Sequence, residues 1–222
     1  MISIIIPTLN ESDTLAITLK PLQAFRQVSI EIIVVDGGSN DDTISIASTL
    51  ADKFFSTDKG RAHQMNAGAE KAAGEVLLFL HADTELPGNA ISLIEQHALP
   101  GQWGRFDVQL NNPRWLFSVN AWLMNYRSCL TGIVTGDQGL FIHRSMFEEV
   151  GGFPDAPLME DIAISKKLKR YNRPICLKSR IIVNTRYWEQ HGVWRSIVRM
   201  WRIRLAYFLG VPAEHLVKKY YR

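Results

Sequence analysis

Cysteine is scarce in this 222-residue chain: Cys129 and Cys176 are the only two, and neither has metal-ligand spacing to the other or to a histidine. The expectation is a pair of reduced core residues in a cytosolic protein. Long apolar runs are missing as well. Val76-Leu77-Leu78-Phe79-Leu80 is among the longest and falls far short of the ~20 residues that a membrane-spanning helix needs. The start, Met1-Ile2-Ser3-Ile4-Ile5-Ile6-Pro7, lacks the basic residues and small-residue cleavage site of a signal peptide, so a cytoplasmic location is expected. No Gly-x-Gly-x-x-Gly follows the first apolar run and no Walker lysine occurs, which counts against dinucleotide and P-loop enzymes. With no repeat, low-complexity tract or Gly/Ser linker, residues 1–222 read as one domain.

Acid is nearly absent from the end of the chain. Residues 165–222 hold 15 Lys and Arg against 2 Asp and Glu, whereas residues 1–164 hold 10 against 20, so the net +3 hides an acidic body and a basic tail. The body suits a cation, and the tail suits phosphates, anionic lipid or nucleic acid.

What is present is an alternation of apolar strands and amphipathic helices. The β-branched runs Ile2–Ile6 and Ile30–Val35 flank a helix over Ser12–Phe25, with Leu15, Leu19 and Leu22 on one face. Further helices are predicted over Asp41–Ala51, His63–Ala73, Asn89–His97, Trp115–Cys129 and Asp161–Tyr171. Strands are predicted at Lys53–Ser56, Val76–Leu80, Gly104–Gln109, Gly139–His143, Pro174–Leu177 and Arg180–Asn184. The pattern implies an α/β three-layer αβα sandwich with a mostly parallel mixed sheet and a basic helical C-terminal appendage. In such a sheet, ligands gather beyond the carboxyl ends of the strands.

Those ends are polar and acidic: Pro7-Thr8-Leu9-Asn10-Glu11, Asp36-Gly37-Gly38-Ser39-Asn40-Asp41 and His81-Ala82-Asp83-Thr84. Asp36 can accept hydrogen bonds from a ribose or base, or simply cap the next helix. His81 and Asp83 alternate on extended backbone and could reach one cation, the plainer alternative being Asp83 as a cap. An ion bridging a diphosphate needs few protein ligands.

These loops, together with Gly60-Arg61-Ala62-His63-Gln64-Met65-Asn66-Ala67-Gly68, Gly151-Gly152-Phe153 and Glu160-Asp161, resemble the ordered signature of family 2 glycosyltransferases over about residues 1–171. The resemblance implies a GT-A fold, a nucleoside-diphosphate sugar donor (UDP-sugar before GDP-sugar), Mn²⁺ or Mg²⁺, and transfer with inversion to a hydroxyl acceptor. It implies that Pro7, Thr8, Glu11, Asp36 and Gly38 hold the nucleoside, Arg61 the diphosphate and Asp83 the metal. Asp161 would be the base, with Glu160 and Asp137 as substitutes, and Asn66 and His191 are further candidate substrate contacts. His81-Ala82-Asp83 stands in place of the usual Asp-x-Asp, which makes His81 the second candidate metal ligand and favours Mn²⁺. Gly37 stands where a second aspartate is common. Gln190-His191-Gly192-Val193-Trp194-Arg195 only loosely follows Gln-x-x-Arg-Trp, so processive synthesis is not inferred.

On this reading residues 1–100 bind the nucleotide sugar, 101–185 carry the acceptor and catalytic half, and 186–222 form basic amphipathic helices. From Trp194 to Leu209, Trp194, Ile197, Val198, Trp201, Leu205, Phe208 and Leu209 recur at helical spacing, with Arg195, Arg199 and Arg202 largely off the stripe. Core packing is one explanation. The other is a helix in the plane of an anionic membrane, where a lipid-linked or apolar acceptor would be met on the inner face of the cell membrane. The competing functions are a sugar-phosphate nucleotidyltransferase, disfavoured by the absence of a basic glycine-rich loop after the first strand, and a nucleic-acid-binding protein, disfavoured by the acidic body.

Overall fold

The first strand, β1 (Ile2–Thr8), shows why the sheet is covered on both faces. Ile2, Ile4 and Ile6 enter one core with Ile32 and Val34, while Ile5 enters the opposite core with Ile33, Val35 and Leu77. Strand residues alternate sides, so an unbroken apolar run must feed two cores at once. We describe residues 1–220 of a computed structural model; side chains at 187, 190 and 218–220 are left aside.

The remaining strands are β2 (Ile30–Asp36), β3 (Lys53–Ser56), β4 (Val76–Phe79), β5 (Thr84–Glu85), β6 (Trp103–Leu110), β7 (Leu140–His143) and β8 (Ile175–Val183). They form one eight-stranded sheet in the order β3-β2-β1-β4-β7-β6-β8-β5. The β3-β2-β1-β4 half is parallel throughout; β7 runs antiparallel between β4 and β6, and β6 pairs in parallel with β8. The sandwich with a mostly parallel mixed sheet is therefore the observed fold.

The helices are α1 (Ser12–Leu19), α2 (Thr43–Leu50), α3 (Arg61–Lys71), α4 (Ala90–His97), α5 (Trp115–Thr131), α6 (Arg144–Glu149), α7 (Glu160–Leu168), α8 (Arg186–His191), α9 (Val193–Phe208) and α10 (Ala213–Tyr220). Buried side chains of α1, α2, α4 and α5 pack in one core; those of α3, α6 and α7 pack in the other. Among the described residues no helix is long and apolar enough to cross a membrane.

Three sequence expectations need correction. The helix expected over Ser12–Phe25 stops at Leu19 and continues as a 3₁₀ turn, Lys20–Ala24, because Pro21 has no N–H to give the preceding turn. The two basic runs near the end are one strand, β8, whose pairing with β6 slips in register between Phe106 and Asp107. Such an irregularity lets a strand carry on past a break in its pattern. The cysteines are neither core residues nor reduced: Cys129 of α5 and Cys176 of β8 are joined in a disulfide, with Cα atoms 6.0 Å apart.

Candidate functional site

The acidic strand ends meet in a cleft of about 380 Å³. Glu11 and Thr14 reach it from the end of β1 and from α1, Arg61 from the first turn of α3, and His81 and Asp83 from the loop after β4. Asp137 enters from a 3₁₀ turn and Asp161 from the start of α7. Asn120 and Met124 of α5, and Ser196, Met200, Trp201 and Arg204 of α9, close the other side. The cleft thus lies beyond the strands' carboxyl ends, where the fold gathers unsatisfied polar groups.

Desolvation governs its electrostatics. Burial raises the Asp83 carboxyl above the usual range, a shift that Arg61 opposes. Burial, and then the charge of Arg61, hold the His81 imidazolium down to about pKa 3, so the ring is neutral at pH 7 and keeps a lone pair for a proton or a metal. A Cβ on Gly136 would lie 2.4 Å from His81 Nε2, so the chain passes this ring only because residue 136 has no side chain. Asp137 Oδ1 is buried and has no hydrogen-bond partner. Such an oxygen is costly unless a ligand or ion satisfies it.

Among the described residues no group of three or more His, Cys, Asp and Glu forms a metal cluster. Asp83, neutral His81 and the orphaned Asp137 oxygen nevertheless line one cleft. Their chemistry fits a hard divalent ion that takes most of its shell from phosphate oxygens and water.

Glu160 and Asp161 open α7, where the macrodipole favours negative charge. Both lie in the second acidic group of the cleft region, beside Thr135 and Gly136. Asp161 accepts the backbone N–H of Gly136 at 3.0 Å and of Ile162 at 2.7 Å. Burial still raises its pKa, against the pull of Arg204. Glu160 is pushed up to about 7, first by burial and then by the charge of Asp161. A carboxylate pair of this kind holds a proton near neutrality, as an acid–base site requires.

Several residues singled out from sequence do structural work instead. Asp36 is fully buried and accepts Gly38 N–H and Ser39 N–H at 2.8 Å each, the Ser39 hydroxyl at 2.5 Å, and the Thr8 hydroxyl at 3.2 Å. These bonds shape the turn through Gly38, whose φ is +94°, at the end of the strand where the nucleoside contact is expected. Pro7 and Thr8 sit buried in β1. Asn66 donates to Phe153 O at 2.8 Å and accepts Phe153 N–H at 2.9 Å, which locks α3 to the Gly151-Gly152-Phe153 turn and occupies its amide. His191 is exposed at the end of α8 and does not line the cleft.

Sequence reading missed Arg204 and Arg127. Arg204 stands one turn after Met200 and lines the cleft with it. Also missed was Gln64, whose side chain donates to Thr8 O at 2.9 Å and Val35 O at 2.7 Å and clamps the ends of β1 and β2. A polar residue on the buried face of α3 was its only signal.

The sheet and its flanking helices define a fold of the GT-A type. The mannosyltransferase PcManGT from Pyrobaculum calidifontis, solved with GDP-Man and Mn²⁺, superposes with a TM-score of 0.66 at 22% identity, over 92% of this chain and 60% of that one. In sequence, residues 3–101 match the family model described as Glycosyl transferase family 2. A PGL/p-HBAD biosynthesis glycosyltransferase of Mycobacterium bovis is 31% identical over 169 residues, 69% of this chain and 63% of the relative. A GalNAc(5)-diNAcBac-PP-undecaprenol beta-1,3-glucosyltransferase of Campylobacter jejuni is 34% identical over 108 residues, 45% of this chain and 35% of that protein. The first part of the chain, residues 3–101, is thus similar to glycosyltransferase family 2, and the chain spans less than two thirds of either relative's length.

Proposed function

We propose that this protein is a metal-dependent inverting glycosyltransferase that moves a sugar from a nucleoside-diphosphate sugar to a hydroxyl acceptor. The observation that carries the reading is one cleft in which Arg61 and Asp83 face Asp137 and Asp161. Arg61 and a divalent ion on Asp83 would hold the diphosphate. Mn²⁺ or Mg²⁺ would supply charge stabilisation as the glycosidic bond breaks. His81 is the second candidate ligand for that ion, and its neutral imidazole favours Mn²⁺.

Asp161 is assigned as the base: it takes the acceptor proton while the acceptor oxygen attacks the anomeric carbon from the face opposite the leaving group. Glu160 and Asp137 flank it. Residues 1–100 supply the donor side, with the Asp36 turn shaping the nucleoside loop, and residues 101–185 supply the base. UDP-sugars are the first donors to test; GDP-mannose, which the Pyrobaculum enzyme binds, is the second.

The acceptor is assigned as lipid-linked and met at an anionic membrane surface. The stripe on α9 faces outward, with Trp194 64% and Phe208 79% exposed, while Ile203 turns inward. A second set of exposed aromatics, Trp115, Trp122 and Tyr126, lies on α5, the helix whose Asn120 and Met124 line the cleft; Trp122 and Tyr126 themselves border a separate cavity with Asp107 and Arg180. Aromatic faces on arginine-bearing helices suit an interfacial position. The lipid-linked substrate in the name of the Campylobacter relative agrees with this.

Binding of UDP, followed by calorimetry with and without Mn²⁺, tests the donor site. Metal should strengthen binding in the wild type and have no effect in Asp83→Ala; metal-stimulated binding in that variant would remove Asp83 from the site.

A further inference from the structure

The cleft has two cationic poles, and the donor accounts for one. Arg61 is among the charges acting on Glu11, His81, Asp83 and Glu160, the donor side. Arg204 is the foremost charge acting on both Asp161 and Arg127. Arg204 of α9 lines the cleft, and Arg127 of α5 does not line it but is close enough for the two charges to act on each other.

Both side chains are half-buried, and each turns guanidinium N–H groups away from water without an acceptor. Arg127 Nε and Nη2 and Arg204 Nε are buried and make no hydrogen bond. No ion pair within 4.0 Å joins either arginine to a carboxylate among the described residues. Their neighbour Arg105 is fully buried, and its Nε is also without an acceptor. It nevertheless pairs with Asp107 and donates to Asn125 O at 2.7 Å, and among the described residues neither Arg127 nor Arg204 makes such a pair with a carboxylate. Burial and the like charge of Arg204 pull Arg127 down to about pKa 10, so it remains a cation at neutral pH. Asp137 and Asp161 offset part of this charge from a distance, but the buried N–H groups still lack acceptors, and an anion that accepts them removes that cost.

We propose that Arg127 and Arg204 form a second anion subsite, beside the base Asp161 and separate from the Arg61 and Asp83 pole, which holds a phosphate group carried by the acceptor. A phosphate offers three oxygens to donors arriving from two helices, whereas a carboxylate is filled by a single guanidinium fork. The subsite rests on the glycosyltransferase reading and narrows its acceptor to a phosphorylated molecule. The attacking hydroxyl would be fixed near Asp161 by the phosphate beside it, so orientation comes from charge.

The test is titration of the full chain with inorganic phosphate, followed by NMR or calorimetry, on wild type and on Arg127→Gln, Arg204→Gln, Arg204→Lys and Arg61→Gln. The expected result is phosphate binding weakened about tenfold or more in Arg127→Gln and Arg204→Gln, partly kept in Arg204→Lys and retained in Arg61→Gln. Circular dichroism should show native folding in each variant, because glutamine and lysine keep much of the arginine side chain's length and a polar end at each position. Phosphate binding that is absent in wild type, indifferent to both arginines, or lost only in Arg61→Gln would overturn the subsite. UDP binding, measured separately, should survive in Arg204→Gln; its absence from wild type would instead remove the donor reading.

A competition arm identifies the carrier. Displacement of bound phosphate by phosphatidylcholine vesicles containing phosphatidic acid, and not by vesicles containing phosphatidylglycerol, would support the subsite with a lipid phosphate. Displacement by glycerol phosphate alone would support it with a soluble one.

Discussion

At the scale of single residues the account turns on Asp161 and its neighbour. Asp161 is fixed by two backbone N–H groups and keeps a raised pKa through burial. Asp161→Asn keeps the shape of the side chain and one accepting oxygen, and so can retain only one of the two N–H contacts. It removes the basic carboxylate, so transfer should fall roughly 10²–10⁴-fold with donor affinity nearly unchanged. Steady-state kinetics checks this, and a larger loss in Asp137→Asn would move the base to the orphaned carboxylate. Glu160 has a folded pKa raised from 4.5 to about 7. The folded state therefore holds its proton more tightly than the unfolded chain, and stability declines as pH rises from about 4.5 through 7. Glu160→Gln should leave stability unchanged at pH 4 and gain about 2–3 kcal/mol at pH 8. Denaturant melts at the two pH values read it directly, and equal gains at both would separate the effect from ionisation.

At the scale of elements, legibility followed the origin of each signal. β1 to β4 and their helices were readable because unbroken apolar strands and one-faced helices leave a periodic record. The short β5 carries only Thr84 and Glu85, too few residues for any period, and exists because β8 offers them an edge. The disulfide was invisible for a similar reason: Cys129 and Cys176 are 47 positions apart and meet only through the packing of α5 and β8. The carboxylates Glu11 and Asp83 of the cleft were legible because they follow apolar strands closely. Arg127 and Arg204 were not, since a helical arginine looks the same whether it faces water or a cleft.

The α9 stripe admitted two explanations from sequence, and its exposure removes core packing for Trp194, Val198, Trp201, Leu205, Phe208 and Leu209. The small inner cluster is built instead on Leu158, Met159, Ile162, Ile203 and Leu216. If α5 and α9 seat the protein on a membrane, co-sedimentation with vesicles should require anionic lipid and weaken as salt rises. It should also fall in a Trp122→Ser/Phe208→Ser variant. Equal recovery in the supernatant with neutral and anionic vesicles would assign the stripes another partner.

For the whole molecule, the charge division seen in the sequence becomes spatial. The acidic first part supplies the carboxylates of the cleft, and the basic tail folds back as α9 to place Arg204 beside them. The sheet organises the donor side, and the two amphipathic helices close the acceptor side. A soluble nucleotide sugar and a membrane-held acceptor could then approach from different directions.

The most direct measurement of the central claim is incubation of the purified protein and Mn²⁺ with a panel of UDP- and GDP-sugars, following free nucleoside diphosphate by ³¹P NMR. The account predicts slow, metal-dependent release from one donor, lost in Asp83→Ala and strongly reduced in Asp161→Asn. Release that ignores the metal and survives both substitutions, or no binding and no release with any donor, would contradict it.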